Sequence, residues 1–413
     1  MMEKENKFVS FITITFLSVL LILSLFNKYF NSQKNISKEP IIIDELEIPL
    51  EDEKPDLSLD DEKKELSFYQ YGRNFLSDEE KKVYDEMLEN AKGFKKSFYI
   101  YPISEKSLYK VYPIFLNDNP EIFWIENLQY YKSVINDYVV KIEFIYSVSE
   151  TEKNKRQEQI DDVVDAIMKM VNQFENNYDK VKFIHDFIII NTEYDLKSSD
   201  NQNIYSVLVN GRSVCAGYAR TFQYLMNKIG LYTLYIQGSI KNEKGEEINH
   251  AWNLASIDGK YYYFDVTWDD PTFLSKSQRI NYVGYYYFGE TTKGMEATHN
   301  PSELYPLPIA DSTKYNYYVK ENLIFNSYND KVKKRLIEEF INQSNKKRSN
   351  VTFKFTNKEA YNKAIVSLFD KPLDITTIIR EANKKTNNKI DIRNIKYMPS
   401  AKNLIIDVNI NYQ

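Results

Sequence analysis

Residues 205–230 read YSVLVNGRSVCAGYARTFQYLMNKIG. Asn210-Gly211 is a turn signal, and the apolar residues after it recur at helical spacing until Gly230, a residue type that commonly ends helices. The pattern predicts a helix with Cys215 in its first turn. This position suits a reactive thiol, because the free N–H groups and the positive end of the helix dipole stabilise a thiolate and can hold an oxyanion.

Cys215 is the single cysteine of the 413-residue chain, so no intrachain disulfide can form. A lone cysteine has two interpretations. Most such residues are buried apolar fillers, whereas some are nucleophiles. A structural cysteine has no need of a helix N-terminus, so the location favours the nucleophile.

A thiol nucleophile needs a base, and the chain has three histidines. One of them, His250, lies in residues 249–271, which read NHAWNLASIDGKYYYFDVTWDDP. Asp258-Gly259 between two strand-like runs predicts a hairpin with a type I′ turn.

The predicted hairpin gives His250 an acidic neighbour. Counting outward from the turn places Trp252 opposite Asp265, and strand side chains alternate, so His250 shares that face. His250 and Asp265 would then be diagonal neighbours, roughly 7–8 Å apart at the backbone. We therefore expect the Asp265 carboxylate to orient the imidazole, as the acid of a catalytic triad does.

Three blocks of the sequence, Gly211–Ala219, His250–Asn253 and Asp265–Pro271, resemble the bacterial transglutaminase-like superfamily. They follow that family's order of Cys, His and Asp. The resemblance covers about residues 179–271 and continues more loosely to about Pro308.

The resemblance implies an α+β fold with a papain-like core, in which the cysteine lies at a helix N-terminus packed on an antiparallel sheet. It makes Cys215 the nucleophile, His250 the general base and acid, and Asp265 the orienting residue. No cofactor is expected, since the sequence has no EF-hand-like loop for calcium. The side chain that would donate to the oxyanion is not evident from the resemblance, and Tyr205 is one candidate.

The other two histidines have simpler interpretations. His185, in a predicted helix between Phe183 and Phe187, is expected to be structural and packed near the core. His299 lies in a loop-like stretch and is expected at the surface. Cys215, His250 and His299 could in principle bind zinc, but no zinc-ligand spacing supports this, so no metal is expected.

The N-terminus predicts a membrane anchor. Residues 8–26 form a 19-residue uncharged apolar run, close to the roughly 20 residues that span a bilayer. We expect an uncleaved signal anchor at the cell membrane, with a cleaved signal peptide as the alternative. The short N-terminal tail suggests that the following domains are extracytoplasmic.

The remaining pattern suggests two small α/β domains around the core. In the first, Ser77 and Glu80 form a capping-box signature and residues 138–146 read as a strand. Residues 44–65 hold eleven acids against three lysines, which indicates an extended linker. The predicted segments are an anchor (1–27), an acidic linker (28–65), an N-terminal α/β domain (66–150), a transglutaminase-like domain (151–312) and a C-terminal α/β domain (313–413).

The expected function follows from these features. A net charge of −5 argues against nucleic acid as a partner. The sequence predicts a thiol acyltransferase or cysteine protease that acts on peptide or Gln side-chain amides through a thioester. Its partners would be protein or peptide substrates at the cell surface, including those of the cell wall. The alternative is a non-catalytic surface scaffold that keeps the fold.

Overall fold

A computed structural model describes residues 41–43, 70–241, 246–271, 281–370 and 373–413. The predicted anchor and most of the predicted acidic linker lie outside these residues. Among the helices of the described ranges, none combines the length and the apolar character needed to cross a bilayer.

Helices and strands alternate along the chain. The strands are β1 (Ile41–Ile43), β2 (Ser97–Ile103), β3 (Ile125–Ser133), β4 (Val139–Tyr146), β5 (Glu193–Tyr194), β6 (Arg212–Ser213), β7 (Thr233–Lys241), β8 (Glu247–Ile257), β9 (Lys260–Phe264), β10 (His299–Pro301), β11 (Ile324–Phe325), β12 (Asn350–Phe355), β13 (Lys396–Ser400) and β14 (Ile405–Asn409). The α-helices are α1 (Asp78–Lys92), α2 (Glu105–Asp118), α3 (Glu150–Val171), α4 (Asn177–Asn191), α5 (Ile204–Leu208), α6 (Cys215–Lys228), α7 (Thr292–Glu296), α8 (Tyr317–Lys320), α9 (Asp330–Asn345), α10 (Lys358–Phe369) and α11 (Asp374–Asn383). The fold is therefore of the mixed α+β class, as predicted.

The chain forms two compact units that are interleaved in sequence. The first comprises the described parts of Met1–Met170, Tyr194–Asn253 and Thr298–Leu307. The second comprises those of Val171–Glu193, Leu254–Ala297 and Pro308–Gln413. The predicted division into five segments stays a prediction.

The first unit begins with a four-stranded sheet in the order β1-β3-β4-β2, next to α1 and α2. The predicted capping box at the start of α1 is confirmed, because the Ser77 side chain accepts from the Glu80 backbone N–H and the Glu80 side chain accepts from that of Ser77. The strand predicted over 138–146 is also confirmed, as β4. Sequence reasoning missed α2, which contains Pro113.

Another four-stranded sheet has the order β10-β7-β8-β9, in which β7 lies between β10 and β8. The antiparallel pairing of β10 with β7 needs a glycine at Gly238, because a Cβ there would lie 2.2 Å from the backbone oxygen of Asn300 and 2.6 Å from the Trp252 ring. Helix α6 packs beside β7. The strands that carry His250 and His299 therefore flank the strand next to the Cys215 helix.

The second unit contains the predicted hairpin turn. Strand β8 ends at Ile257 and β9 begins at Lys260, with positive φ at Asp258 (51°) and Gly259 (74°), as a type I′ turn requires. The turn prediction is confirmed. Strand β9 ends at Phe264, however, so the prediction that Asp265 lies within the strand is wrong.

The C-terminal part of the second unit is a sheet in the order β11-β12-β14-β13 with helices α9, α10 and α11. The predicted helices over 332–340 and 357–369 and the strands over 351–355 and 404–410 are present, with small shifts of their ends. Sequence reasoning did not predict α11.

One acid in this sheet, Asp407, is expected to make stability depend on pH. Asp407 is fully buried; its Oδ2 accepts from the Tyr282 hydroxyl at 2.7 Å, and its Oδ1 has no hydrogen-bond partner among the described residues. Burial raises the pKa of Asp407 to about 7. A raised pKa contributes stability that is complete below the ordinary carboxyl pKa and is lost as the pH rises through the folded value.

We expect Asp407→Asn to stabilise the protein at pH 8 by about 3 kcal/mol more than at pH 5, because the amide stays neutral throughout. Urea unfolding of the wild type and the variant at both pH values measures the difference. Asp311→Asn, which changes an acid that is 66% exposed, is the control. An equal effect of Asp407→Asn at both pH values would contradict the assignment.

Candidate active site

Cys215 is the first residue of α6, as predicted, with Val214 as the N-cap. The helix ends at Lys228, and Gly230 has a φ of 77°, so the predicted stop is confirmed. The loop before the helix packs closely on its first turn. A Cβ at Gly217 would lie 1.9 Å from Ser213 Oγ, which explains the glycine two residues after the cysteine.

Cys215 lies in a small apolar cluster with Ala216, Ala219, Tyr235 and Ala251. Its exposed fraction is 1%. Ala251 directly follows His250 on β8, so the strand that carries the predicted base passes beside the start of α6. The predicted nucleophile and base therefore lie on neighbouring elements of the first unit.

A cavity of about 410 Å³ opens beside the thiol within the first unit. Its lining includes Cys215, Ala216, Arg220, Tyr235, Gln237 and Ala251. Asn201 and Gln202 line it as well. Gln202 and Gln237 also line the cavity, and their side-chain amides could donate to an oxyanion. Sequence reasoning missed these two residues, because no distinctive pattern marks their positions.

Tyr205, the oxyanion donor suggested from sequence, has other contacts. It lies on α5, and its hydroxyl donates to Gln159 Oε1 at 3.1 Å. The Arg156 guanidinium carbon lies 4.5 Å from the centroid of its ring. The hydroxyl is thus engaged with α3, and Tyr205 is not among the lining residues of the cavity.

The prediction that His299 is a surface loop residue is wrong. Its exposed fraction is 3%, and it starts strand β10, where it pairs with Ile240. The ring centroids of His299 and His250 lie 5.8 Å apart, and Trp252 packs edge-on against His299 at 4.8 Å. Two of the three potential zinc ligands named from sequence are therefore close in space, and the absence of a metal stays a prediction.

Asp265 belongs to the second unit, where it is fully buried. Its Oδ1 accepts from the backbone N–H groups of Thr267 at 3.1 Å and Trp268 at 3.0 Å. These bonds fix the carboxylate at the start of a turn rather than on the strand. Because His250 belongs to the first unit, the predicted pairing of the two residues stays a prediction.

The same turn is tied to helix α4. The backbone N–H of Asp269 donates to the Asp265 backbone oxygen at 3.1 Å, and Asp269 Oδ2 lies 3.1 Å from His185 Nε2. His185 is fully buried, which confirms that it packs in the core as predicted; its structural role stays a prediction. Burial acts to lower the pKa of His185, but its hydrogen bonds to Asp186 and Asp269 outweigh burial and raise it.

Comparisons with known proteins find one family model and several solved structures that are similar to parts of the chain. The family model of the transglutaminase-like superfamily matches residues 165–266. Three solved structures resemble parts of the chain: a TGase with 16% identity and a TM-score of 0.25, a candidate cysteine protease from Cytophaga hutchinsonii with 21% and 0.24, and a candidate protease from Parabacteroides distasonis with 12% and 0.21.

The matched regions are limited in extent. They cover 34%, 32% and 34% of this chain and 44%, 52% and 36% of the respective solved chains, so this chain spans about half or less of each structure. No curated protein matches the chain. Residues 165–266 of this chain form a domain of the transglutaminase-like superfamily.

Proposed function

We propose that the protein is a transglutaminase-like cysteine enzyme that acts on peptide or Gln side-chain amides, anchored at the cell surface by its N-terminal apolar segment. The observation that carries the proposal is the position of Cys215. It is the first residue of α6, it lines a cavity large enough for an amide side chain, and the strand bearing His250 passes beside it.

The reaction has two halves. His250 takes the thiol proton, and the Cys215 sulfur attacks the amide carbonyl to form a tetrahedral oxyanion. The oxyanion lies near the free backbone N–H groups at the start of α6. The C–N bond breaks, His250 protonates the departing ammonia or amine, and a thioester remains. Water or a second amine then attacks the thioester, which gives hydrolysis or crosslinking.

Alkylation of the thiol tests the pair of Cys215 and His250. Because the chain has one cysteine, iodoacetamide labels a single site. We expect labelling at pH 6 to be fast and to slow about tenfold or more in His250→Ala, since the variant lacks the base that holds the thiol proton. The measurement is the alkylation rate of the full-length protein from pH 5 to pH 9, followed by mass spectrometry.

His299→Ala is the matched control, because it removes the neighbouring buried imidazole and leaves His250 in place. Its labelling should remain fast at pH 6. If wild type and His250→Ala are labelled equally slowly at pH 6, Cys215 is a resting thiol. The protein is then the non-catalytic surface scaffold that the sequence left as the alternative.

A further inference from the structure

Two arginines line the cavity beside Cys215, and they differ in their partners. Arg156 Nε donates to Glu152 Oε1 at 3.0 Å, and its guanidinium also pairs with Asp200. Arg220 donates from a terminal nitrogen to the backbone oxygen of Leu116 at 2.5 Å. Among the residues that the structure describes, none provides a carboxylate within 4.0 Å of Arg220. The carboxylates of Asp200, which pairs with Arg156, and of Glu126 also line the cavity, so among its described lining residues Arg220 is the arginine without an ion pair.

The guanidinium of Arg220 is held in place. Its central carbon lies 4.4 Å from the centroid of the Tyr235 ring, which is itself buried and lines the cavity. Burial raises the pKa of Tyr235, so its phenol stays neutral and supplies no negative charge. With one donor on Leu116 and the planar group over a ring, Arg220 keeps further N–H donors for a ligand.

Arg220 lies close to the thiol along the same helix. Ala216 and Arg220 are four residues apart in α6, so they share a face, and both line the cavity. Arg220 is five positions after Cys215, which corresponds to about 7.5 Å along the helix axis. An extended peptide covers that distance in two or three residues.

We propose that Arg220 binds a carboxylate of the acyl donor, within about three residues of the amide that Cys215 attacks. The inference rests on the proposed function and adds a substrate class, namely acidic peptides. A guanidinium is suited to this ligand because its parallel N–H groups bind both carboxylate oxygens. The carboxylate can come from an Asp or Glu side chain or from the C-terminus of a short peptide.

Protection of Cys215 from iodoacetamide measures this binding without requiring turnover. One peptide pair is acetyl-Gln-Gly with a free C-terminus and its C-terminal amide. The other is acetyl-Gln-Gly-Glu-amide and acetyl-Gln-Gly-Gln-amide. The concentration at which a peptide halves the alkylation rate of the full-length protein measures its binding. We expect this concentration to be about tenfold or more lower for each acidic peptide than for its neutral partner. The pair with the larger ratio identifies the source of the carboxylate.

Arg220→Gln should abolish the preference and leave protection by the neutral peptides within about threefold of wild type. Arg220→Lys should restore part of it, because it keeps the charge without the paired donors. Arg212→Gln, at an exposed arginine of β6, is the control and should retain the full preference. If the role of Arg220 were purely structural, Arg220→Gln would reduce the protection of Cys215 by acidic and by neutral peptides equally.

The proposal would be overturned if the acidic and neutral peptides of both pairs protected Cys215 equally, or if no peptide protected it. A preference for acidic peptides that survives Arg220→Gln would also overturn it. Failure of the proposed function has a different signature. In that case the acidic peptides still protect preferentially, but neither ammonia release nor a thioester is detected with any peptide.

Discussion

Cys215→Ala is expected to abolish acyl transfer, with a loss of about 10⁴-fold or more in turnover. In cysteine and serine acyl-transfer enzymes the nucleophile works as a unit with its base, so its removal costs as much as removal of the whole triad. What remains is substrate binding and the backbone donors at the start of α6. The measurement is the rate of ammonia release from Gln-containing peptides, together with incorporation of a fluorescent primary amine.

Thr221→Ala is the matched control for this substitution. Thr221 is fully buried on the same helix, and in the part of the chain that the structure describes its hydroxyl has no hydrogen-bond partner. The substitution Thr221→Ala therefore removes a buried side-chain group from α6 and leaves the thiol of Cys215 unchanged. We expect near wild-type turnover from Thr221→Ala. Full turnover in Cys215→Ala would remove the basis of the proposed mechanism, whereas loss in both variants would point to a folding defect.

The local features of the core could be predicted from sequence because short-range rules determine them. Asn210-Gly211 and Gly230 bracket the helix that starts at Cys215, and Asp258-Gly259 forms the hairpin turn. Each signal depends on backbone conformations that few residue types adopt. The helix position of Cys215, the predicted nucleophile, and the turn between the predicted base and acid could therefore be predicted without coordinates.

Features that depend on distant partners could not be predicted. His299 is buried because β10 pairs with β7, some sixty residues earlier in the chain, and the three-residue strand has no periodicity of its own. Similarly, nothing around Arg220 in the sequence shows which face of α6 borders the cavity. The end of β9 at Phe264 was also not predicted. The reason is that Val266, Thr267 and Trp268, which follow it, are residue types that are common in strands.

The turn that begins at Asp265 is connected through Asp269 and His185 to a buried charge network that sequence reasoning found only in part. Asp186 lies at its centre in the second unit. Lys182 Nζ donates to Asp186 Oδ2 at 2.8 Å, Arg348 donates to the same oxygen at 2.6 Å, and the Tyr285 hydroxyl donates to Oδ1 at 2.9 Å. His185 Nδ1 lies 3.2 Å from Oδ1, and the same ring contacts Asp269 in the turn that begins at Asp265.

This arrangement predicts that Asp186→Asn lowers the free energy of unfolding by about 3–5 kcal/mol at pH 7. The substitution leaves the largely buried cations of Lys182 and Arg348, whose side chains are 18% and 16% exposed, without their counter-charge, and breaking one side of a buried ion pair costs an amount of this order. Burial alone would raise the pKa of Asp186, but the charges of Lys182, His185 and Arg348 outweigh it and hold the pKa well below its usual range.

A lowered pKa contributes stability that is present above the ordinary carboxyl pKa, near pH 4, and is lost as the pH falls toward the folded value. The difference between wild type and Asp186→Asn should therefore shrink below pH 4. Urea unfolding of both proteins at pH 7 and pH 3 measures it. Glu381→Gln, which breaks an exposed ion pair with Lys384 in the same unit, should cost at most about 1 kcal/mol. A comparably small cost for Asp186→Asn at pH 7 would mean that the buried cations find other partners, and the turn that carries Asp265 would not depend on this network.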